Sequence, residues 1–502
     1  MILLYILQWG GHNHYQEGAT SAFKDPLSPE VKLGQGCECG LHAAAQRALF
    51  VSWPTSPSNN RSKVLCSVNQ QGEKNMRAPV TAVALAILLT LSASFALAQS
   101  VALPGKKMQG KLHLLPATLE TTQWGWFNNA QAPVLKVDSG DTIALETMMH
   151  SHNQVVPGKT IEEIKKLRTD HPGRGPHTVT GPIYVNGAEP GDVLKVKINK
   201  IVPRAYATNF NVPGMFGQFP KEYQDGQVKY LYLDLDRKVT EFLPGVFIPL
   251  RPFPGTIGVA RKEPGQYSTV PPGEYAGNME IRDLTEGTSL YVPVHVSGAL
   301  LWTGDSHAAQ GNGEVNLTAV ETAYQEFNIT VEVLKSMKLD FPRIETPKSW
   351  ITMGFDPDLN KALDFTKEQT AKFLAEQRKI SVEDAAKLMH KVSDCRISQV
   401  VNIKKGIHCL NPKDPKGKED MERPAKETEK YYVSHAKDAN LNKAMDDASR
   451  AMIRFLEEKK GIARLDAYGL ASVAMDCRLG DVWGTEKNVH CLVPKNLWVA
   501  KK

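Results

Sequence analysis

Cysteine is scarce in this sequence, and its distribution restricts the chemistry that the chain can perform. The 502 residues contain 7 cysteines, and none lies between Gln99 and Asp394. A thiol nucleophile therefore cannot come from that long segment. A Gly-x-Ser-x-Gly elbow and a glycine-rich phosphate-binding loop are also missing. If the segment is hydrolytic, water remains as the nucleophile, activated by a base, a metal ion or both.

A strong excess of one charge is missing as well. The formal net charge is +6, and Lys and Arg are scattered among Asp and Glu without forming a basic stripe. Nucleic-acid binding requires such a basic patch, so nucleic acid is excluded as a partner. The apolar content of 42% and the charged content of 23% are typical of a soluble globular protein with two or three domains.

No apolar run reaches the roughly 20 residues that a membrane-spanning helix needs. The strongest run covers residues 80–91, follows Met76 and Arg77, and precedes the small residues Ala96 and Ala98. A basic start, a short apolar stretch and small residues before the cleavage point are typical of a secretory signal peptide.

We therefore predict a signal peptide at residues 76–98 and a mature chain that begins at Gln99. The mature protein is predicted to be exported, periplasmic or secreted, and to have no stable membrane span after processing. Residues 1–75 show neither helical nor strand periodicity and precede a complete signal peptide. We interpret them as an upstream extension that is not part of the native protein.

Short alternating apolar runs bounded by turn formers dominate the segment 99–350. Examples are TIALET at 142–147, DVLKVKINKI at 192–201, SLYVPVHV at 289–296 and NITVEVLK at 328–335. Period-two alternation with frequent Gly and Pro punctuation favours many short antiparallel strands. The fold class predicted here is mainly β, with a β-sandwich-like catalytic body over residues 99–350.

An internal repeat occupies the carboxy-terminal part. A shift of 82 residues aligns 359–413 with 441–495 without a gap, and 22 of the 55 positions are identical. Each copy has the apolar spacing of two helices followed by a short strand pair. We predict a C-terminal α+β portion of two repeated αβ units, at 351–413 and 440–502, joined by a charged linker at 414–439.

Four cysteines remain after the predicted cleavage point, an even number that suggests two disulfides in an exported protein. The pairing we predict is one bridge per copy, Cys395 with Cys409 and Cys477 with Cys491. Bridges between the copies, or a Cys/His metal site that includes His408 and His490, are alternatives.

Two segments of the β body offer candidate histidine ligands. His150 and His152 follow the TIAL run, and two histidines one residue apart on a strand would point to the same face and present a metal with paired imidazoles. A pair of surface or hydrogen-bonded histidines is the alternative. His177 lies between Gly-Pro and a strand, where a structural histidine is the more usual interpretation.

A third segment is denser in polar groups. An apolar strand ends at Gly304, and the candidate residues that follow it are Asp305, His307, Gln310, Asn312 and Glu314. A further block, GNMEIRDL, contributes Asn278 and Glu280. Carboxylates and imidazoles that cluster where a strand leaves the core commonly form a catalytic or metal site.

Several of these blocks resemble those of the acetamidase/formamidase family, in the same order. They are GPIYVNGAEPGDVL, RPFPGTIGVA, PPGEYAGNME and LYVPVHVSGALLWTGDSHAAQGNGEV. The resemblance implies a β-sandwich-type body, a homo-oligomer, a divalent metal (zinc or calcium) and hydrolysis of a small amide. Asp305, His307 and Glu314 correspond to polar residues of the family's GD-x-H-x-x-QGDGE block, and His177 to its GPH block.

The predicted site residues fall into three groups. The catalytic pair is Glu314 and His307, the metal ligands are Asp305, His307, His177, His150 and His152, and the substrate-binding residues are Asn278, Glu280 and Gln310. Two positions depart from the family pattern, since Asn312 and Glu280 stand where the family usually has Asp. A changed carboxylate set would alter metal affinity or substrate size.

The predicted function is hydrolysis of the C–N bond of small linear amides of the formamide or acetamide type, with release of ammonia and a carboxylate by metal-activated water. Two alternatives remain at this point. One is an exported small-molecule binding protein on the same scaffold, and the other is a metal hydrolase of another C–N or ester bond.

Overall fold

Two large sheets form the body of the protein. The computed structural model describes residues 110–419 and 422–498, so the predictions about residues 1–98 lie outside the described residues. The first sheet has the strand order β1 (Leu112–Leu115), β5 (Thr142–Leu145), β18 (Tyr324–Leu334), β7 (Val193–Pro203), β15 (Ser289–Pro293), β19 (Arg343–Glu345), β20 (Ser349–Asp356), β22 (Lys405–Pro412), β21 (Asp394–Gln399), β24 (Asp476–Leu479), β25 (Lys487–Pro494) and β23 (Tyr431–Asp438).

The second sheet contains the strands that carry most of the candidate site. Its order is β11 (Val246–Pro249), β10 (Val239–Leu243), β9 (Gln227–Asp234), β8 (Tyr206–Asn211), β17 (Val320–Thr322), β16 (Leu301–Ala309), β12 (Phe253–Val259) and β14 (Ala276–Asn278). Strand β6 (Thr178–Val185) pairs with β16 and also with β2 (Thr122–Trp124) and β4 (Leu135–Val137). A small ribbon joins β3 (Trp126–Asn128) to β13 (Gln266–Ser268).

Alternating apolar residues on the strands account for the way the sheets pack. In β7, Leu194, Val196 and Ile198 are fully buried, whereas the lysines between them face away from the core. Because successive side chains point to opposite faces of a strand, this pattern buries one face of the sheet. A single apolar core joins residues of β5, β7 and β18 to residues of β6, β12 and β16. The two sheets therefore pack as a sandwich, and the predicted fold class is confirmed.

The helices of the described residues lie mostly in the carboxy-terminal part. They are α1 (His150–Asn153), α2 (Ile161–Thr169), α3 (Leu359–Arg378), α4 (Val382–Val392), α5 (Leu441–Lys460) and α6 (Arg464–Ala474), with a 3₁₀ turn at Lys495–Leu497. None of the described helices combines the length and apolar character that crossing a bilayer would require.

The two αβ units have the same order of elements, and each begins earlier than the sequence identity indicates. Strands β20 and β23 lie 82 residues apart, pair with β22 and β25 respectively, and precede α3 and α5. Residues 431–438, which fell inside the predicted charged linker, are therefore a strand. The sequences of β20 and β23 share almost no residues, which is why the alignment missed them.

The two αβ units are related by an approximate twofold axis that passes between β21 and β24. Strands β21 and β24 pair antiparallel at Arg396 and Arg478, which are equivalent positions of the repeat. The helix starts also contact each other, since the backbone N–H of Leu441 donates to the side chain of Asn360 at 2.9 Å. The two units therefore pair with each other through β21 and β24, and the second unit extends the first sheet to β23.

Disulfides bridge the strand pair of each unit. Cys395 bonds to Cys409 and Cys477 to Cys491, as the repeat predicted, and each pair lies 14 residues apart in sequence. These four cysteines are bonded to each other and therefore do not act as metal ligands. Replacing Cys477 and Cys491 together with Ser is expected to lower the free energy of unfolding by about 3 kcal/mol, because the unfolded chain gains the entropy of an open loop of that length. Urea denaturation measures the change, and equal stability of the two proteins would contradict it.

Candidate active site

Strand β16 supplies the centre of the site. All nine of its residues are buried, and it is hydrogen-bonded to β6, β12 and β17. Asp305 has a left-handed backbone, with φ at 52°, and the regular pairing with β12 skips the position opposite it. This irregularity brings the side chains of Asp305 and His307 together, with 3.2 Å between Asp305 Oδ1 and His307 Nε2. Local distortions of a strand often re-aim side chains at functional sites.

Two further imidazoles approach Asp305. His150 Nε2 lies 3.0 Å from Asp305 Oδ1, and His177 Nε2 lies 3.7 Å from Asp305 Oδ2. The other ring nitrogen of His177, Nδ1, is 3.0 Å from Thr269 Oγ1. A hydrogen bond donated from Nδ1 to Thr269 leaves the lone pair of Nε2 facing Asp305, which is the arrangement that metal-binding histidines use.

Three glutamates complete the cluster. Glu321 Oε2 lies 3.0 Å from His307 Nε2, and Glu280 Oε2 lies 3.3 Å from His307 Nδ1. Glu314 belongs to the same group, since its carboxylate lies within 4.8 Å of ligand atoms of Glu280 and His307. Glu280 and Glu314 both have left-handed backbones, with φ at 58° and 48°. Such conformations cost about 1–3 kcal/mol each and are characteristic of functional sites.

The protonation of the cluster is set by burial and by mutual charge. Burial lowers the pKa of His177 to about 4, so its imidazole is neutral at neutral pH. Burial also acts to lower the pKa of His307, but the neighbouring carboxylates, foremost Glu321, outweigh it and raise the pKa well above the usual range. Burial acts to raise the pKa of Asp305, yet His177 and His307 hold it well below its usual range. At neutral pH the site therefore contains the ionised carboxylate of Asp305 beside the neutral imidazole of His177.

Several buried polar atoms of the cluster have no hydrogen-bond partner in the described residues. They are His150 Nδ1, Glu280 Oε2, His307 Nδ1, Glu314 Oε2 and Glu321 Oε2. Buried polar groups are normally paired, because an unmet donor or acceptor costs about 1–3 kcal/mol. These imidazole nitrogens and carboxylate oxygens lie close together without forming hydrogen bonds. A divalent cation bound between them would satisfy their lone pairs. The donor set therefore fits a metal ion.

Gly255 keeps the space beside the cluster open. A Cβ at this position would lie 2.6 Å from Asp305 Oδ2 and 2.6 Å from His307 Cε1. Any other residue would therefore push its side chain into the ligand atoms. The close approach of the β12 backbone to Asp305 explains why the chain has glycine here.

The cluster forms the floor of a cavity of about 260 Å³. His150, His177 and Asp305 line this cavity together with the carboxylates of Glu280, Glu314 and Glu321, whereas His307 is fully buried behind them. Two imidazoles and one carboxylate are a common ligand set of catalytic zinc. Val401, Asn402 and Ile403 close part of the wall, so the first αβ unit takes part in the site.

Three residues predicted for the site lie outside the cluster. His152 is half-buried and contacts the ring of Trp124, because residues 150–153 form a helical turn with left-handed residues and not a strand. The expectation that His150 and His152 share a face was therefore wrong. Gln310 lines a different cavity, beside Arg282. Asn278 does not line the active cavity, and its Oδ1 accepts a hydrogen bond from Thr256, whose hydroxyl also lies 3.1 Å from Asp305.

Sequence reasoning missed Glu321, which the structure places between His150 and His307. Glu321 lies seven residues after Glu314, and no spacing rule identifies it in the sequence. It reaches the site because β17 pairs with β16 and aligns Glu321 with His307. Thr256 and Thr269 were also missed, since single threonines in strands carry no signal in the sequence.

The loop that carries Glu314 is held by both αβ units. Gly313 N donates to Ser398 O at 3.0 Å, and Asn312 Nδ2 donates to Asp476 Oδ1 at 2.6 Å. Asn312 is thus directed at the second unit and away from the cluster. An aspartate here would place a carboxylate against that of Asp476, which gives a physical reason for the asparagine.

Asp476 provides a pH-dependent contribution to stability. Burial acts to raise the pKa of Asp476, but Arg282, Arg396 and Arg478 outweigh it and lower the pKa far below the usual range. The ionised carboxylate therefore stabilises the fold above about pH 4, and this contribution is lost as the pH falls below the unfolded-state pKa.

Asp476→Asn is expected to lower the free energy of unfolding at pH 6 by about 3–5 kcal/mol, since it leaves buried arginines uncompensated. The difference from the wild type should stay constant from pH 6 to about pH 4 and then shrink between pH 4 and pH 3, as the carboxylate becomes protonated in the unfolded chain. Urea denaturation across that range measures it, and a difference that does not change with pH would contradict the assignment.

The fold and the site together define a mainly β protein with a buried histidine and carboxylate cluster on the floor of a cavity. Comparison with known proteins gives the family. The family model described as the Acetamidase/Formamidase family matches residues 120–266 and 265–497. The chain belongs to this family.

The individual relatives compared with this chain share 25–31% of the aligned residues with it. The acetamidase of Mycolicibacterium smegmatis is 31% identical over 199 residues, which cover 28% of this chain and 49% of the relative. The formamidase of Methylophilus methylotrophus is 25% identical over 248 residues, covering 38% and 59%. The chain thus spans about half to three fifths of the length of these relatives. A solved structure from Thermoanaerobacter tengcongensis, described as a predicted acetamidase/formamidase, is 30% identical, with a TM-score of 0.54, and covers 60% of this chain and 96% of that one.

Proposed function

We propose that this protein hydrolyses the C–N bond of small linear amides and releases ammonia and a carboxylate. The observation that carries the proposal is the buried cluster of imidazoles and carboxylates on the floor of the cavity. Several of its carboxylate and ring atoms have no hydrogen-bond partner among the described residues. Membership of the acetamidase/formamidase family and the names of the relatives support the amide as substrate.

His150, His177 and Asp305 are the residues we propose to hold a divalent ion, zinc or calcium. All three line the cavity, and their ligand atoms lie within 4.8 Å of one another. When bound, such an ion would supply water activation near neutral pH and polarisation of the amide carbonyl. His307 orients Asp305 and Glu321 from behind, through contacts of 3.2 and 3.0 Å.

Glu314 is the residue we propose to accept the proton of the attacking water and return it to the leaving nitrogen. Protonation of that nitrogen is required because an amide anion is a poor leaving group. Glu314 lines the cavity, and its Oε2 has no protein partner in the described residues. The two αβ units fix the loop around it, so the carboxylate is held in place before substrate arrives.

A substrate panel tests the reaction class. We expect ammonia from formamide and acetamide, and slower turnover of the matching methyl esters and of urea. Each assay is repeated with the Glu314→Gln variant, which keeps the shape of the side chain but cannot accept the proton. Ester cleavage without ammonia release from any amide would overturn the proposal.

We also propose that the protein is exported and assembles as a homo-oligomer. Two disulfides in the described residues support an oxidising compartment. Amino-terminal sequencing of the protein from cell fractions tests the export proposal, and a protein found only in the cytosol with an uncleaved start would contradict it. Light scattering of the purified protein gives its oligomeric state.

A further inference from the structure

Two arginines lie in the wall of the active cavity. Arg168 is in the last turn of α2, and Arg174 is in the loop that follows it. A capping box at Thr160 and Glu163 fixes the start of this helix, and Ile164 packs into a small core with Val155 and Phe210. The position of Arg168 is therefore set by a well-anchored element.

Neither arginine forms an ion pair within residues 110–419 and 422–498. Arg168 Nη2 donates to the backbone oxygen of Arg174 at 2.8 Å, and the Arg174 guanidinium stacks over Trp124 at 4.6 Å. A guanidinium has five N–H donors. Most donors of these two groups therefore remain for water or for a ligand.

The guanidinium of Arg168 lies in the wall of the cavity whose floor is the cluster. Burial lowers the pKa of Arg168 to about 10, and no acidic group offsets this effect. Arg168 lines the same cavity as His177 and Asp305, which places its charge in the wall beside the cluster. A partly buried cation that has no counter-ion among the described residues is costly. A bidentate carboxylate is the partner that a guanidinium prefers.

The rest of the cavity wall is mainly apolar. Apolar side chains that line it include Val155, Leu167, Phe210, Val212, Phe216 and Leu317. At about 30 Å³ for each water-sized group, a cavity of about 260 Å³ has room for roughly nine such groups. Acetamide would leave more than half of that space empty, whereas a longer acyl chain would reach from the cluster toward the arginines.

We propose that the preferred substrate is a short aliphatic amide that carries a carboxylate at the end remote from the amide, bound by Arg168 and Arg174. The monoamides of short dicarboxylic acids are this class. The inference rests on the proposed function, because the catalytic cluster must take the amide end. The apolar wall contacts the methylene groups between the two ends.

A competing explanation is that the arginines only balance the negative charge of the glutamates. That role would affect every amide equally, since it acts on the cluster and not on the substrate. A carboxylate subsite instead affects only substrates with a negative charge. The difference between a charged and a neutral substrate of the same size therefore separates the two explanations.

The test compares succinamate with 4-oxopentanamide, a neutral amide of nearly the same shape. We expect kcat/KM for succinamate to be at least tenfold higher in the wild type, and Arg168→Gln to abolish that preference. Lys165→Gln is the matched control, because it removes one positive charge from the same helix at a residue that does not line the cavity. It should keep the preference.

Equilibrium binding of succinate, measured by calorimetry on the wild type and Arg168→Gln, decides the subsite independently of turnover. A loss of affinity of tenfold or more in the variant supports the subsite, even if no amide is hydrolysed and the proposed function fails. Equal affinity in the two proteins overturns it. Hydrolysis of both amides at equal rates by the wild type, or a parallel loss for both in Arg168→Gln, overturns it as well.

Discussion

Asp305→Asn is expected to lower kcat/KM for acetamide by roughly 10³-fold, which equals about 4 kcal/mol of transition-state stabilisation. Within the described part of the chain, Asp305 is the one carboxylate that approaches His150, His177 and His307 at once. The substitution keeps the shape and removes the charge, so it weakens ion binding and the orientation of the imidazoles together. Ammonia release and metal content of the purified variant measure both effects.

Asp236→Asn is the control for this substitution, since it makes the same chemical change at an exposed turn of the second sheet. Its turnover should equal that of the wild type. Turnover of Asp305→Asn within tenfold of the wild type, with normal metal content, would show that the cluster is not the catalytic centre.

Gly255→Ala is expected to abolish most of the activity although it adds a single methyl group. The new Cβ would lie 2.6 Å from both Asp305 Oδ2 and His307 Cε1, so at least one of these side chains must move. Overpacking of this kind costs about 1–3 kcal/mol of stability, which a protein of this size tolerates. We expect a folded protein with at least a hundredfold lower kcat/KM and a reduced metal content.

Gly484→Ala provides the comparison, because a Cβ at Gly484 meets no atom within 4 Å. Circular dichroism and thermal unfolding show whether each variant is folded. A Gly255→Ala protein that is folded and fully active would contradict the account of how β12 shapes the site.

The fold could be predicted from the sequence because its signals are local. Alternation in β7 and β18 and helical spacing in α3 and α5 each report the environment of a single element. Strand β23 was not predicted, since it lies in a charged segment and is stabilised by pairing with β25. Pairing across a sheet depends on a partner distant in the chain, and residues 431–438 contain no pattern that identifies it.

The site could be predicted only in part, for a related reason. Asp305, His307 and Glu314 lie close together in sequence and in one resembling block, so they were recognised together. Glu321 lies beside them because β17 pairs with β16 in the register that aligns Glu321 with His307. The register between two strands cannot be read from a single sequence. His152 was misassigned because its backbone is left-handed, and period-two reasoning applies only to a strand.

Metal content and ammonia release, measured on the same preparation before and after chelation, test the central claim most directly. We predict that the purified protein contains at least about one divalent ion per chain, loses both the ion and amide hydrolysis on chelation and dialysis, and regains both when Zn²⁺ or Ca²⁺ is added back. Undiminished ammonia release from protein in which elemental analysis finds no metal would contradict it.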